Sequence, residues 1–236
     1  MLPARKFSSI VVLTGAGISA ESGIRTFRAA DGLWENHRIE DVATPEAFAR
    51  NPKLVHQFYN LRRAQLKEVE PNAAHLALAE LERKFRGECL VVTQNVDDLH
   101  DRTGQKNLLH MHGELKKIFC GRCGWKMEWT RDLTSSEPCP ECEATESLRP
   151  DIVWFGEVPY HMDAIIPRLQ RCDLFVSIGT SSNVYPAAGF VELAQRAVKV
   201  EINLEPTVGA HHFTTIMAGK ASEQVPNLVR QILTTD

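Results

Sequence analysis

The sequence predicts an α/β protein, a doubly wound parallel sheet with a smaller zinc-binding and helical part inserted into it. Three features carry this reading. Apolar runs of strand length alternate with helix-length segments, the pattern of a parallel sheet covered on both faces. The first run leads straight into Gly15-Ala16-Gly17. Four cysteines in two Cys-x-x-Cys pairs stand apart in a stretch rich in Gly, Pro and Glu.

Taken in order, the first strand is Ser8 to Thr14 and the helix after the glycines runs from Ile18 to Gly23. From Arg28 to Thr44, around Gly32 and Trp34, no period is visible, which in a compact domain marks a binding loop or lid. Thr44-Pro45 and Asn51-Pro52 each combine an N-cap residue with proline at the first helical position. The second opens a helix through Leu66. Pro71 closes that segment and Asn72 starts another helix. Strands follow at Cys89 to Thr93 and Asn107 to His110. After the cysteines come a helix at Met162 to Gln170, a strand at Asp173 to Ile178, a helix at Ala187 to Arg196, a strand at Lys199 to Asn203 and a closing helix at Glu223 to Leu233.

Composition narrows the function classes. The 236 residues suit one large domain or a domain with a smaller module. A net charge of −3 lacks the basic footprint of a nucleic-acid binder. No run approaches the roughly 18 apolar residues of a spanning helix, and Met1 to Phe7 has no apolar leader core. The expected location is the cytoplasm, with the mitochondrial matrix as the alternative. Cys89 and Cys172 stand in apolar runs and are expected to be buried small hydrophobes.

Gly15-Ala16-Gly17-Ile18-Ser19-Ala20 fits the G-x-G-x-x-[GA] turn between a strand and a helix. There, glycines let the backbone approach a pyrophosphate and the helix start adds N–H donors. The plainer alternative is a turn that needs glycine for its backbone angles. An ordinary dehydrogenase would also place an acid at the end of a second strand to hold the ribose. Asp31 and Glu35 fall in the right window, yet no strand leads to either, so hydride transfer is the weaker reading.

Cys120-x2-Cys123, fifteen residues, then Cys139-x2-Cys142 is a zinc signature. Four thiolates complete a tetrahedron and leave no open position for water, so the expected role is structural. A nucleic-acid-binding ribbon is disfavoured by Glu128, Asp132, Glu137, Glu141, Glu143 and Glu146 in the same stretch.

Several motifs go beyond spacing. Gly15 to Ile24 followed by Thr26-Phe27-Arg28 resembles the NAD-binding segment of the sirtuins, the Sir2-like protein deacylases. Thr93-Gln94-Asn95-Val96-Asp97, His112-Gly113, the four cysteines, Pro150 to Glu157 with Phe155-Gly156-Glu157, Gly179-Thr180-Ser181 and Ile202-Asn203 follow in that family's order, from about Ser8 to Leu233. The resemblance implies a Rossmann-like domain of residues 1–30, 70–115 and 150–236, a cofactor loop and helical module at 31–69, and a zinc module at 116–149. It implies NAD as co-substrate and one structural Zn²⁺. The acyl oxygen of an acylated lysine would attack C1′ of the nicotinamide ribose, and nicotinamide, O-acyl-ADP-ribose and free lysine would be the products.

By the same resemblance His112 is the general base, a role that suits imidazole, while the residue pattern alone leaves open whether His112 is a base or whether either of His110 and His112, alternating on a strand, is simply structural. Asn95 and Asp97 would bind the carboxamide and position the ribose, with Gln94, Val96, Arg28 and Trp34 at the cofactor and Phe27 shielding it from water. Ala16, Ser19 and Ala20 belong to the glycine turn. Gly179, Thr180, Ser181, Asn203, Leu204, Glu205 and Ala221 would hold phosphate, adenosine ribose and adenine. Val153, Phe155, Gly156, Glu157 and Val184 would pair with the substrate peptide. A monomer is expected.

Tyr59 and Arg62, at i and i+3 on one helix face, resemble the Tyr-x-x-Arg pair of sirtuins that remove succinyl or malonyl groups, and Ala43 the small residue that widens their pocket. Guanidinium and phenol can hold a carboxylate, whereas a tyrosine on an amphipathic helix can equally be core and the arginine a solvated neighbour. Two other readings stay open: a protein mono-ADP-ribosyltransferase and a non-catalytic NAD-sensing zinc scaffold.

Overall fold

The apolar run from Ile10 to Leu13 cannot choose one face of a sheet, and the chain buries both. The computed structural model describes residues 6–25, 33–34, 37–181 and 183–235. In it β1 (Ser9–Thr14) lies inside a six-stranded parallel sheet. Ile10 and Val12 enter one core and Val11 and Leu13 another, as the two-residue strand period requires.

α1 (Ala16–Ala20) follows at once. It starts and stops earlier than the expected 18–23 and is little more than one turn. β2 (Leu33–Trp34) and β3 (His37–Arg38) form a small antiparallel ribbon, then α2 (Ile39–Val42), α3 (Pro45–Arg50) and α4 (Pro52–Gln65) cluster together. Both proline starts are capped as their residue types dictate. Thr44 Oγ1 accepts the Ala47 N–H at 3.0 Å and Asn51 Oδ1 that of Leu54 at 3.1 Å. α5 (Ala73–Lys84) opens on Asn72, whose side chain accepts the Ala74 N–H while the His75 ring accepts the Asn72 N–H.

β4 (Glu88–Thr93), α6 (Leu99–Arg102) and β5 (Leu108–His110) complete the first half of the large sheet. β6 (Gly113–Cys120), β7 (Lys126–Glu128) and β8 (Leu148–Ile152) form a separate antiparallel sheet in the order β7-β6-β8. The sequence did not announce it. β8 buries two charges, Arg149 and Asp151, and each is matched: Arg149 by Glu157, Asp151 by Lys126 and Tyr160. Paired in this way, buried charges do not read as strand.

α7 (Met162–Arg171), β9 (Leu174–Ile178), α8 (Phe190–Leu193), β10 (Val198–Asn203), β11 (Thr215–Ala218) and α9 (Ala221–Thr235) finish the chain. Two expectations are corrected here. The helix foreseen over Ala187–Arg196 is a 3-10 turn, Ala187–Gly189, followed by the four residues of α8. β11 is an additional edge strand of four residues, alternately half-buried and exposed, with an apolar run of only three, Ile216 to Ala218.

The strand order is β11-β10-β9-β1-β4-β5. The chain thus grows outward from β1 on one side, then returns and grows outward on the other. α5 and α9 cover one face and α7 and α8 the other. Val42, Val55, Phe58 and Tyr59 form a further core with Leu115, Ile152 and Trp154, and the cysteines frame a last one with Ile118, Trp129 and Leu133. α4 ties these two together. Asn60 exchanges bonds of 2.9 and 3.0 Å with the Leu133 backbone, and buried Arg63 donates to the Leu115 carbonyl at 2.8 Å. The boundaries expected at 116 and 149 fall inside β6 and β8, so the cysteine module shares two continuous strands with the rest. Cys89 and Cys172 are buried, and burial pushes their thiols up to about 12 and about 11. Among the described residues no helix is long and apolar enough to cross a membrane.

Candidate active site

The carboxyl ends of β1, β4, β9 and β10 open on a cavity of about 450 Å³, at the switch point where an open α/β sheet binds its ligand. Two strand-end turns meet there. Gly15 N–H donates to the Ile178 carbonyl at 2.9 Å and Gly17 N–H to that of Gly179 at 2.8 Å. A Cβ on Gly17 would lie 2.6 Å from Gly179 Cα, and one on Gly179, whose φ is +62°, would lie 2.4 Å from the Ile18 nitrogen. These glycines therefore serve turn-to-turn packing as much as ligand approach. α1 is too short for a strong helix dipole, so backbone N–H groups and space, rather than the dipole, define this corner.

Ser19 is the hub of the cavity floor. Its hydroxyl donates to Asp97 Oδ2 at 3.0 Å and accepts from Asn95 Nδ2 at 3.1 Å. The second Asn95 amide hydrogen goes to the Gly15 carbonyl at 3.1 Å. Both amide hydrogens are thus committed, which leaves the side-chain carbonyl oxygen as the Asn95 atom able to accept from a ligand. Asp97 is buried, which raises its pKa; the Leu99 N–H and the Ser19 hydroxyl pull it back. Beneath lies His75, whose Nδ1 accepts the Asn72 N–H, so its Nε2 carries the proton facing Ser19 at 3.5 Å. Burial lowers the His75 pKa to about 4. Neither His75 nor the neighbouring buried His100, 4.9 Å away ring to ring, was singled out from sequence. The capping box that His75 completes with the N-cap Asn72 would have been the signal.

The two candidate histidines separate cleanly. His110 ends β5 and points to Asp101, 3.0 Å from Nε2. Burial disfavours its charged form, but the carboxylate outweighs burial and the pKa ends above the ordinary value. His112 lies two residues on and lines the cavity. Its Nδ1 is 3.1 Å from the Gln94 carbonyl. A carbonyl can only accept, so Nδ1 holds the proton and Nε2 carries the lone pair. Burial holds the imidazole below its usual pKa, with the Gln94 bond pulling the other way. The arrangement is a neutral base of fixed tautomer. Gly113 makes it possible: its φ is +83°, and a Cβ there would lie 2.0 Å from the Asp151 carbonyl oxygen.

The lining joins Gly15, Ala16, Gly17, Ser19, Gln94, Asn95, Val96, Asp97, His112, Gly179, Thr180, Ser181 and Asn203 to Ala43, Tyr59, Val153, Phe155, Gly156, Glu157 and Val184. Trp154 and Tyr185, within the stretches expected to pair with the peptide, line it too, as do Ile24 and Ile152 from the quoted motifs, and Arg25 and Pro159, which carry no expectation. Ala20, Leu204, Glu205, Ala221 and Arg62 lie outside the described lining. Arg62 sits half-buried with its guanidinium 5.0 Å from the Phe58 ring centre. Thr26, Phe27 and Arg28 lie outside the described residues, and of Trp34 only the backbone is described. The expected peptide-binding backbone is partly engaged already, since Val153 N–H donates to the His112 carbonyl and Phe155 N–H to that of Ala43.

The cysteine sulfurs of 120, 123, 139 and 142 all lie within 4.8 Å of one another. The pairs 120–142 and 123–139 are 3.7 and 3.8 Å apart. A tetrahedron with Zn–S bonds of about 2.3 Å has edges of about 3.8 Å, so the donor set fits zinc. Cys120 ends β6 while His112 immediately precedes it, so the cluster and the histidine belong to opposite ends of that strand.

A family model described as "Sir2 family" matches residues 15–186. The chain is 60% identical over 231 residues to a protein of Bdellovibrio bacteriovorus named NAD-dependent protein deacylase, covering 97% of this chain and 98% of that one. A solved Sir2 homologue in complex with NAD aligns with a TM-score of 0.88 at 38% identity, over 97% of this chain and 90% of that one. A Sir2 structure described with a p53 peptide and NAD+ aligns with a TM-score of 0.81 at 29% identity, over 98% and 94% of the two chains.

Proposed function

This chain belongs to the Sir2 family of NAD-dependent protein deacylases, and from that premise we propose that its pocket removes negatively charged acyl groups, succinyl and malonyl, as well as acetyl from lysine. NAD, when bound, supplies the ribose carbon that receives the acyl oxygen as nicotinamide leaves. The protein's own part is derived from the site. The glycine turns and Ser181 would face the phosphates, Asn203 the adenosine ribose, and the Asn95 carbonyl and Asp97 the nicotinamide end. Asn203 is held for this by its bond to the Thr180 carbonyl at 3.1 Å.

The observation that carries the catalytic reading is the His112 Nδ1–H bonded to the Gln94 carbonyl. It leaves Nε2 to take a proton from a ribose hydroxyl, the step in which imidazole near neutrality is most effective. Acylated lysine on a protein is the substrate class, as the relatives with bound peptides suggest. The enzyme is read as a monomer.

For the acyl group, support comes from Ala43 and Tyr59, both in the wall. Tyr59 is fully buried, and burial raises its pKa, so it stays a neutral donor. Arg62 would join it by turning from Phe58 toward the cavity, one helical turn along the same face. The test uses matched succinyl- and acetyl-lysine peptides. Arg62→Met and Tyr59→Phe are expected to lower succinyl kcat/KM about ten- to a hundredfold more than acetyl kcat/KM. Equal losses for the two peptides would remove the charged-acyl reading and leave the deacylase.

A further inference from the structure

The Tyr59 hydroxyl is set by the side chain of a residue whose backbone alone was expected to matter. Trp154 Nε1 lies 2.9 Å from Tyr59 Oη, and both side chains are buried. An indole N–H can only donate, whereas a phenol has one hydrogen and two lone pairs. In this contact Tyr59 must therefore accept. Its single hydrogen is then available only as a donor to whatever else the oxygen meets, which is the polarity an anionic acyl terminus needs.

Trp154 is itself held from several sides. The Arg149 guanidinium stacks on its ring, 3.3 Å from the centre, and is gripped in turn by Glu157 through bonds of 2.7 and 2.8 Å. Glu157 also accepts the Trp154 backbone N–H at 2.8 Å. Phe48 flanks the indole at 5.4 Å. A cation over the ring draws electron density toward itself and strengthens the N–H as a donor. Positions 149, 154 and 157 thus form one rigid clamp on a hydroxyl that comes from α4, in a different part of the chain.

We propose that Trp154 is a specificity-determining positioning residue, whose indole N–H fixes the Tyr59 hydroxyl as a hydrogen-bond donor to the carboxylate of a charged acyl group. This deepens the proposed function and rests on the reading of Tyr59 as part of the acyl-binding wall. Trp154 acts through Tyr59 and contacts no reacting atom.

Trp154→Phe, Tyr59→Phe and the double variant separate the two ideas, with kcat and KM measured for succinyl- and acetyl-lysine peptides at saturating NAD. Trp154→Phe is expected to raise the succinyl KM about tenfold more than the acetyl KM, with a smaller effect on kcat, the loss of one well-set bond to a charged group. In the Tyr59→Phe background the same change is expected to add no further discrimination. Should Trp154→Phe fold poorly, a tryptophan isostere with sulfur in place of the N–H, benzothienylalanine, removes the donor and keeps the shape. An unchanged succinyl-to-acetyl ratio, equal losses for both, or a Trp154 effect that persists without the Tyr59 hydroxyl would each overturn the proposal. If Tyr59→Phe alone leaves the ratio unmoved, the charged-acyl reading falls and this proposal with it. If Tyr59→Phe shifts the ratio and Trp154→Phe does not, only the role of Trp154 falls.

Discussion

At the cofactor end of the cavity the wall is backbone and small side chains delivered by four strand ends, whereas at the acyl end it is two aromatic rings, Tyr59 and Trp154, brought together from positions 95 residues apart. The first end is rigid because its atoms are interlocked: glycine against glycine, with Asn95, Ser19 and Asp97 bonded in a chain. The second is shaped by how α4 packs on β6 and β8. The proposed function assigns the reaction chemistry to the first and any choice among acyl groups to the second. Damage at the cofactor end should therefore strike every substrate alike, while damage at the acyl end should divide them.

The largest effect is expected where the two ends meet. His112→Ala removes the proposed base and should lower kcat about 10²- to 10⁴-fold for acetyl and succinyl peptides equally, read from steady-state rates with both. Unequal losses would move His112 toward the acyl end. Gly17→Ala drives a Cβ to 2.6 Å from Gly179 Cα, backbone that cannot swing aside. A loss of about 2–4 kcal/mol of stability is expected, together with weaker NAD binding for all substrates, measured by denaturant melts and calorimetric titration with NAD.

Zinc removal tests the other region. A strong chelator should unfold the core around Ile118, Trp129 and Leu133. Because β6 and β8 continue into the acyl end, acyl-peptide KM should rise before NAD affinity falls. The reverse order, seen by following both during chelation, would mean that the cysteine module supports the cofactor end instead.

Each end also hides a neutral histidine, His75 below the glycine turn and His56 on α4, with burial holding both near a pKa of about 4. Unfolding restores a value of about 6.5. The unfolded chain then binds more protons, so this stability is complete above about pH 6.5 and is lost as pH falls toward 4, by up to about 1.4 kcal/mol per unit for each ring. His56→Phe should make the acid limb of the stability curve shallower; an unchanged slope would show that His56 keeps a partner that shares its proton. The smallest effect expected is on the activity profile. With burial holding His112 below its usual value, the acid limb of kcat/KM should fall below about 6.5 for both peptides, and a limb above that value would exclude His112 as the titrating base.

The same division explains what was legible in the sequence. The central strands, both proline starts, the cysteine quartet and the cofactor-end residues were readable because each is a local signal: an apolar run, a cap, a spacing, a strand followed by its turn. β6 and β8 were not, because Glu114, Lys116 and Lys117 interrupt the first and the second carries Arg149 and Asp151, buried charges whose partners lie outside the strand. Trp154 lay in a stretch read only for its backbone, and the role of its side chain was hidden for a related reason. Its importance comes from a bond to α4 that has no sequence neighbourhood. Ser19 was read as a ligand contact, yet its hydroxyl is occupied by Asn95 and Asp97, an internal use that a motif does not reveal. Arg62 shared a helix face with Tyr59 on paper, but the longer side chain lies on Phe58 instead of in the described wall.

Mass-spectrometric product analysis with acetyl- and succinyl-lysine peptides, with and without NAD, tests the central claim most directly. The expected result is NAD-dependent release of nicotinamide, deacylated peptide and O-acyl-ADP-ribose in equal amounts from both peptides, and none of these from His112→Ala at comparable times. ADP-ribose attached to peptide or enzyme with the acyl group still in place, or nicotinamide released without any acyl product, would contradict it.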